Sequence, residues 1–71
     1  MTANINTVTY LDVFYEFISD LTGIEDFTAL TDLYCGLNQL TTLDVSQNTA
    51  LTYLNCNDNQ LTSLNISSNI L

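Results

Sequence analysis

Two thiols and eight carboxylates are the groups with chemistry to offer in this chain of 71 residues, which has no Lys, Arg or His. The thiols, Cys35 and Cys56, stand 21 positions apart. A metal site would need a third Cys or a His to complete it, and a nucleophilic thiol would need a neighbouring base; the sequence offers neither. If residues one such step apart lie over each other in adjacent parallel strands, their Cα atoms are about 4.8 Å apart, which permits a disulfide by distance. In-register parallel side chains seldom supply the torsion. Two buried, reduced thiols acting as small hydrophobes are the simpler expectation.

The carboxylates are Asp12, Glu16, Asp20, Glu25, Asp26, Asp32, Asp44 and Asp58. Glycoside hydrolysis would require two of them to converge on one cleft, and no D-x-D-x-D-G calcium loop is present. Solvated surface charge is the expectation, with a calcium site in the acidic first third of the chain as the alternative. No cofactor or metal site is expected. Asn65-Ile66-Ser67 matches a glycosylation acceptor, but Ile66 falls in an expected strand, which counts against it.

A formal net charge of -8 without one basic side chain excludes several functions. Nothing can neutralise phosphates, so no nucleic-acid partner is expected. Nothing can dock on anionic lipid, and the longest apolar runs are too short for a spanning helix, so no membrane insertion is expected. Residues Met1 to Thr7 lack the basic start and apolar stretch of a signal peptide. A hydrophobic content of 46% is that of a folded domain despite the charge.

Any element able to position these groups must come from repetition. Residues 30–50, LTDLYCGLNQLTTLDVSQNTA, align with residues 51–71, LTYLNCNDNQLTSLNISSNIL. They share the frame L-x-x-L-x-C-x-x-N-Q-L-T-x-L-x-[VI]-S-x-N. Residues 8–29, VTYLDVFYEFISDLTGIEDFTA, form a divergent third copy. Its Val8, Leu11, Val13 and Ile18 fall in register with Leu30, Leu33, Cys35 and Leu40. Leu21, Ile24 and Ala29 match Leu43, Val45 and Ala50 if one residue is inserted near Thr22-Gly23. The chain reads as a single repeat domain over 1–71: a lead at 1–7, a divergent first repeat at 8–29, a second at 30–50 and a third at 51–71.

These units resemble the leucine-rich repeat family, and within it the bacterial 21-residue irregular class of cell-surface type. The resemblance is strongest over 30–71 and weaker over 8–29, where Glu16 and Phe27 replace the family's Asn. It implies an extracellular or cell-surface setting and binding through outward residues of the strand face. By register those residues are Asp12, Tyr34 and Asn55 in one row, with Tyr10, Asp32 and Tyr53 in another. Physical reasoning leads to the same architecture. Leu33-Tyr34-Cys35 and Leu54-Asn55-Cys56 alternate with the period of a strand buried on one face, as do Leu43-Asp44-Val45 and Leu64-Asn65-Ile66 on a second limb. Such units bury their apolar face only by stacking. The fold expected is a repeat solenoid: a short stack of three coils with parallel β-strands and little helix, and with Leu54 in the middle of the core. Asn38 with Asn59, and Asn48 with Asn69, should form structural ladders beside Cys35 and Cys56, and Glu16 should end or change the first one.

Phe14, Tyr15 and Phe17 occupy positions where the other units carry small or polar residues, and Leu37 falls beside Tyr15 by register. Either the first unit buries these rings as a cap, or they form an exposed patch for a partner; a carbohydrate-stacking role is a third option. Tyr10, Tyr34 and Tyr53 could extend such a surface. A three-coil stack leaves two cross-sections of core and two sets of unpaired strand edges, with no cap sequence after Ile70-Leu71. The function expected is a non-catalytic protein-interaction module that self-associates through its uncapped ends and aromatic patch, its partner being another copy of itself. The alternatives are a self-assembling structural subunit, either a filament or a designed oligomer, and a carbohydrate-binding surface module.

Overall fold

The computed structural model describes residues 5–66 and residue 69. Five strands of three residues carry the fold: β1 (Tyr10–Asp12), β2 (Asp32–Tyr34), β3 (Thr42–Asp44), β4 (Tyr53–Asn55) and β5 (Ser63–Asn65). The only helical turns among the described residues are short 3-10 segments at Ile5–Thr7 and Ile24–Asp26. β1, β2 and β4 form one sheet in that order, and β3 and β5 form another. All pairing is parallel, with Leu11 opposite Leu33, Leu33 opposite Leu54, and Leu43 opposite Leu64. Residues one repeat apart therefore lie over each other. The smallest dimension, 17 Å against 30 and 29 Å, fits three coils at about 4.8 Å per step plus their side chains.

The buried apolar residues are Ile24, Leu30, Leu33, Cys35, Leu40, Leu43, Val45 and Leu51. All but Ile24 belong to the second coil and its junction with the third. A coil interior is covered only by the coils above and below it, so only the middle coil is fully enclosed. Leu11 and Leu54 flank Leu33 from the two sides and are half-buried. Leu54 is thus at the rim of the core rather than its middle, which corrects the reading from sequence: the repeat frame finds which way a residue points, not how many neighbours cover it. On the second limb, Leu64 and Ile66 are 42% and 40% exposed where Leu43 and Val45 are 4% and 0%.

The first coil departs from the frame on its second limb, where no strand forms. The extra residue is absorbed at Gly23, whose φ of 104° lies in the left-handed region open to glycine. The chain then turns through Ile24–Asp26, and Ile24 regains the column of Val45. Asn48 Nδ2 donates to the Ile24 carbonyl at 2.8 Å, as Asn69 Nδ2 donates to that of Val45 at 3.1 Å. Asn48 also donates to the Phe27 carbonyl at 3.0 Å and Asn69 to that of Asn48 at 2.8 Å. Phe27 can replace Asn in this column because its carbonyl, not its side chain, is what the next coil uses. The Oδ1 atoms of Asn48 and Asn69 are buried without a hydrogen-bond partner among the described residues.

The other asparagine column is more fully bonded. Asn38 Nδ2 donates to the carbonyls of Val13 (2.9 Å), Cys35 (2.9 Å) and Gly36 (3.1 Å). Its Oδ1 accepts the backbone N–H groups of Glu16 (3.0 Å) and Ile18 (2.9 Å). Asn59 repeats the arrangement one coil on, donating to Cys35 and Cys56 carbonyls at 3.0 and 3.1 Å and accepting the Leu40 N–H at 2.9 Å. The carboxylate of Glu16 cannot donate as an amide does, so the turn of the first coil is held by Asn38 from below. The corners also carry a backbone feature that the frame does not announce. Tyr15, Leu37 and Asp58, at the same corner of successive coils, have φ of 56°, 52° and 59°, and Phe17 in the first coil has 58°, although none is Gly or Asn. The lead residues 1–4, Ser67 of the glycosylation match and the terminal Ile70-Leu71 lie outside the described residues.

Two measurements check this account of the core. Leu33→Ala should cost roughly 2–5 kcal/mol in urea unfolding, and Leu54→Ala clearly less, because only the first leaves an enclosed cavity; equal costs would mean that the end coil is as well covered as the middle one. Asn38→Ala should cost about 2–5 kcal/mol, since it strands two backbone donors at once.

Candidate functional site

Strand alternation decides what the three-stranded sheet shows to the outside. Leu11, Leu33 and Leu54 point inward, so their neighbours point outward. Pairing sets these in two rows: Tyr10, Asp32 and Tyr53, and beside them Asp12, Tyr34 and Asn55. The rings meet diagonally across the rows. Tyr10 and Tyr34 have centroids 5.3 Å apart at 44°, and Tyr34 and Tyr53 have centroids 4.9 Å apart at 35°. Tyr10 and Tyr53 are 56% and 43% exposed. Tyr34, expected as another outward ring, is instead half-buried between them. Loss of solvent pushes its phenol pKa up, and the neighbouring Tyr53, Tyr10, Asp32 and Asp12 push it further in the same direction.

A second apolar surface lies at the corner after β1. Tyr15 and Phe17 are 60% and 67% exposed, with ring centroids 5.2 Å apart. Phe14 behaves differently. Its ring rests on Gly36, where an added Cβ would come within 2.7 Å of Phe14 Cε1. The sequence left open whether the three rings are buried or displayed; all three are exposed, Phe14 at 42%, and Phe14 is also seated on the next coil. Leu37, in the corner column of Tyr15, adds a fourth exposed apolar side chain. The backbone here is well tied, with the Tyr15 N–H donating to Gly36 O at 3.0 Å and that of Leu37 to Asn57 O at 2.8 Å. Holding bulky residues in the left-handed region costs about 1–2 kcal/mol each, which Asn or Gly at the same corner would largely avoid.

Three carboxylates share a cleft that sequence reasoning missed. Asp20, Glu25 and Asp44 line a cavity of about 380 Å³ together with Leu21, Ile24 and Leu43. The cleft exists because the first coil has a 3-10 turn where a strand would have paired with β3, and nothing in the residue types signals that. The hydroxyl and backbone N–H of Thr22 hold Asp20 below the usual carboxylate pKa, and those of Ser46 do the same for Asp44. Both are therefore anions at neutral pH. A glycosidase acid needs the opposite, a carboxyl kept protonated. Among the described residues no group of three His, Cys, Asp or Glu side chains could hold a metal ion.

Cys35 and Cys56 occupy one column and are free thiols. Burial, with a smaller contribution from Cys56, pushes the Cys35 pKa up to about 12. Burial also raises Cys56, partly offset by a backbone hydrogen bond. The native chain thus keeps a proton on Cys35 between about pH 9 and 12, where the unfolded chain loses it. Stability that is intact below pH 9 should fall through that window, by at most about 1.4 kcal/mol per pH unit for this thiol. Urea midpoints against pH should show a shallower alkaline decline for Cys35→Val, which installs the residue Val13 supplies in the coil above. A thiol reagent should label half-buried Cys56 before Cys35.

No family model matches the chain. Internalin J of Listeria monocytogenes serotype 4b (strain F2365) is 55% identical over 42 residues, which are 59% of this chain and 5% of that protein. A solved structure of the functional domain of InlJ from Listeria monocytogenes, which includes a cysteine ladder, is 52% identical with a TM-score of 0.88, over 90% of this chain and 14% of that one. The chain therefore spans a small part of the length of either relative. Parallel strand pairing at repeat spacing, the shared frame and both likenesses lead to one conclusion: these coils are leucine-rich repeats of the bacterial kind.

Proposed function

We propose that the chain is a non-catalytic protein-interaction module of an extracellular or cell-surface bacterial protein, and that the outward face of β1, β2 and β4 meets the ligand. The observation that carries this reading is the tyrosine stack, Tyr10 on Tyr34 on Tyr53, running across all three strands. Tyrosine offers large contact area at low conformational cost and is enriched at protein interfaces. The likeness to internalin J supports the setting. The InlJ domain includes a cysteine ladder, and we read Cys35 over Cys56 as two rungs of comparable structural use.

Self-association is a second reading, favoured by a separate observation. The third coil exposes Leu64 and Ile66, the counterparts of buried Leu43 and Val45, and the corner displays Tyr15, Phe17 and Leu37. Apolar surface displayed at a backbone cost is the pattern of a contact surface. A second copy seated on this apolar surface would cover it, as a closed dimer or a filament.

The sheet-face reading is tested with a random displayed-peptide library, which favours no ligand chemistry. Selected peptides should shift the amide resonances of residues 10–12, 32–34 and 53–55 and lose affinity for a Tyr10→Ser, Tyr53→Ser variant; binders that map elsewhere would count against the face. For self-association, light scattering over a concentration series should show mass rising with concentration, and Phe17→Ser should weaken the rise without lowering the melting temperature. A strict monomer would remove this second reading. Leu37→Asn should keep or raise stability by up to about 1 kcal/mol, because the corner conformation suits Asn, while also weakening any association.

A further inference from the structure

The outward face of the three-stranded sheet is a chequerboard. Asp32 lies between Tyr10 and Tyr53 in one row, and Tyr34 lies between Asp12 and Asn55 in the other. Each ring therefore has a carboxylate as an in-row or cross-row neighbour. Adjacent rings are tilted at 44° and 35° with centroids 5.3 and 4.9 Å apart, and the two outer rings, Tyr10 and Tyr53, stay exposed. Ring faces carry negative quadrupole potential and attract cations lying over them. The carboxylates add full charge. Asp12 caps the Phe14 N–H and Asp32 accepts the Thr31 hydroxyl, so both are held in place by neutral donors. No basic side chain exists anywhere in the chain to answer them. The Tyr34 phenol is harder to ionise, first through loss of solvent and then through the two rings and two acids around it.

Resting on the sheet-face reading above, we infer that this face takes an extended, arginine-bearing segment of a partner protein, with guanidinium groups lying on the exposed rings of Tyr10 and Tyr53 and forked onto Asp12 and Asp32. Arginine fits better than lysine. Its planar, weakly hydrated group stacks on an aromatic face and presents paired donors to a carboxylate, whereas an ammonium is a compact, strongly hydrated point charge. The absence of cations on the chain matters twice. It leaves the acids unanswered, and it removes any internal competitor for the rings. A partner of opposite charge would also be steered toward the whole domain, since the net charge is -8.

The test uses the intact 71-residue chain with labelled hexa-arginine, hexa-lysine and hexa-glutamate peptides at low and physiological salt. Hexa-arginine should bind more tightly than hexa-lysine, hexa-glutamate should not bind, and affinity should fall with salt. Tyr10→Leu and Asp32→Asn should each weaken hexa-arginine binding about three- to fivefold. Asp58→Asn makes the same charge change at a remote corner where Asn suits the backbone, and should change affinity less than about twofold. Circular dichroism melts of the variants separate lost binding from lost folding. If Asp58→Asn weakens binding as much as Asp32→Asn, or hexa-lysine matches hexa-arginine, the peptide is answering net charge and the inference fails. If hexa-arginine does not bind while library peptides still map to this face, the arginine chemistry fails and the face reading survives.

Discussion

Everything in this molecule depends on one packing constraint: a three-residue strand cannot bury its own leucine, so each coil is enclosed only by the coils on either side. The constraint explains why Leu33 is fully buried while Leu11 and Leu54, chemically the same residue in the same column, are not. Stability is then nearest-neighbour in character. The second coil is stabilised from both sides by the first and the third. Leu64 and Ile66, paired in column with Leu43 and Val45, are exposed where those two are buried.

The corners solve a different problem. Between the two sheets the chain must turn sharply, and the turn leaves backbone groups that strand pairing does not reach. Asn38 and Asn59 satisfy these groups across two coils at once, which makes each asparagine a clamp between layers as well as a cap within one. The residue before this corner position, which is Glu16 in the first coil and Asn38 and Asn59 in the next two, is driven to positive φ. At the third coil that residue is Asp58, which tolerates the conformation. At the first and second it is Tyr15 and Leu37, which do not. A sequence shaped for stability alone would place Asn or Gly there, so the side chains displayed at these corners are retained against a backbone cost.

The architecture was legible in the sequence because a 21-residue step in residue type becomes a vertical step in space. Columns such as Cys35 over Cys56 and rows such as Tyr10, Asp32 and Tyr53 follow from counting alone. What counting could not show is what depends on end effects or on departures from the repeat. It misplaced Leu54, since periodicity records facing but not cover. It placed Tyr34 outward but could not see that the flanking rings would lean in and half-bury it. It found the inserted residue at Thr22-Gly23 but not its consequence, a 3-10 turn in place of a strand and a cleft that gathers Asp20, Glu25 and Asp44 from distant positions. The left-handed corners escaped notice because Tyr and Leu are residues whose type argues against that conformation.

The same vertical logic constrains charge. In a parallel stack, residues at equivalent positions lie about 4.8 Å apart, where two like charges repel by about 1 kcal/mol even in water. A repeat that carried one acid per coil at a fixed position would accumulate that penalty at every step. The paired strands avoid it: Asp12 faces Tyr34, Asp32 stands between two tyrosines, and Asp44 faces Asn65. The Asx-type bond from the strand-end side chain to the backbone two residues on is kept as the residue alternates, Asp12 to Phe14 in the first coil and Asn55 to Asn57 in the third. Exchanging Asp for Asn two coils on, with Tyr34 between, thus preserves the local geometry with one charge fewer in the row. A chain without basic residues can stack its coils because its acids are never neighbours along the pairing direction of its sheets, and the same spacing interleaves acids with rings on the face that looks outward.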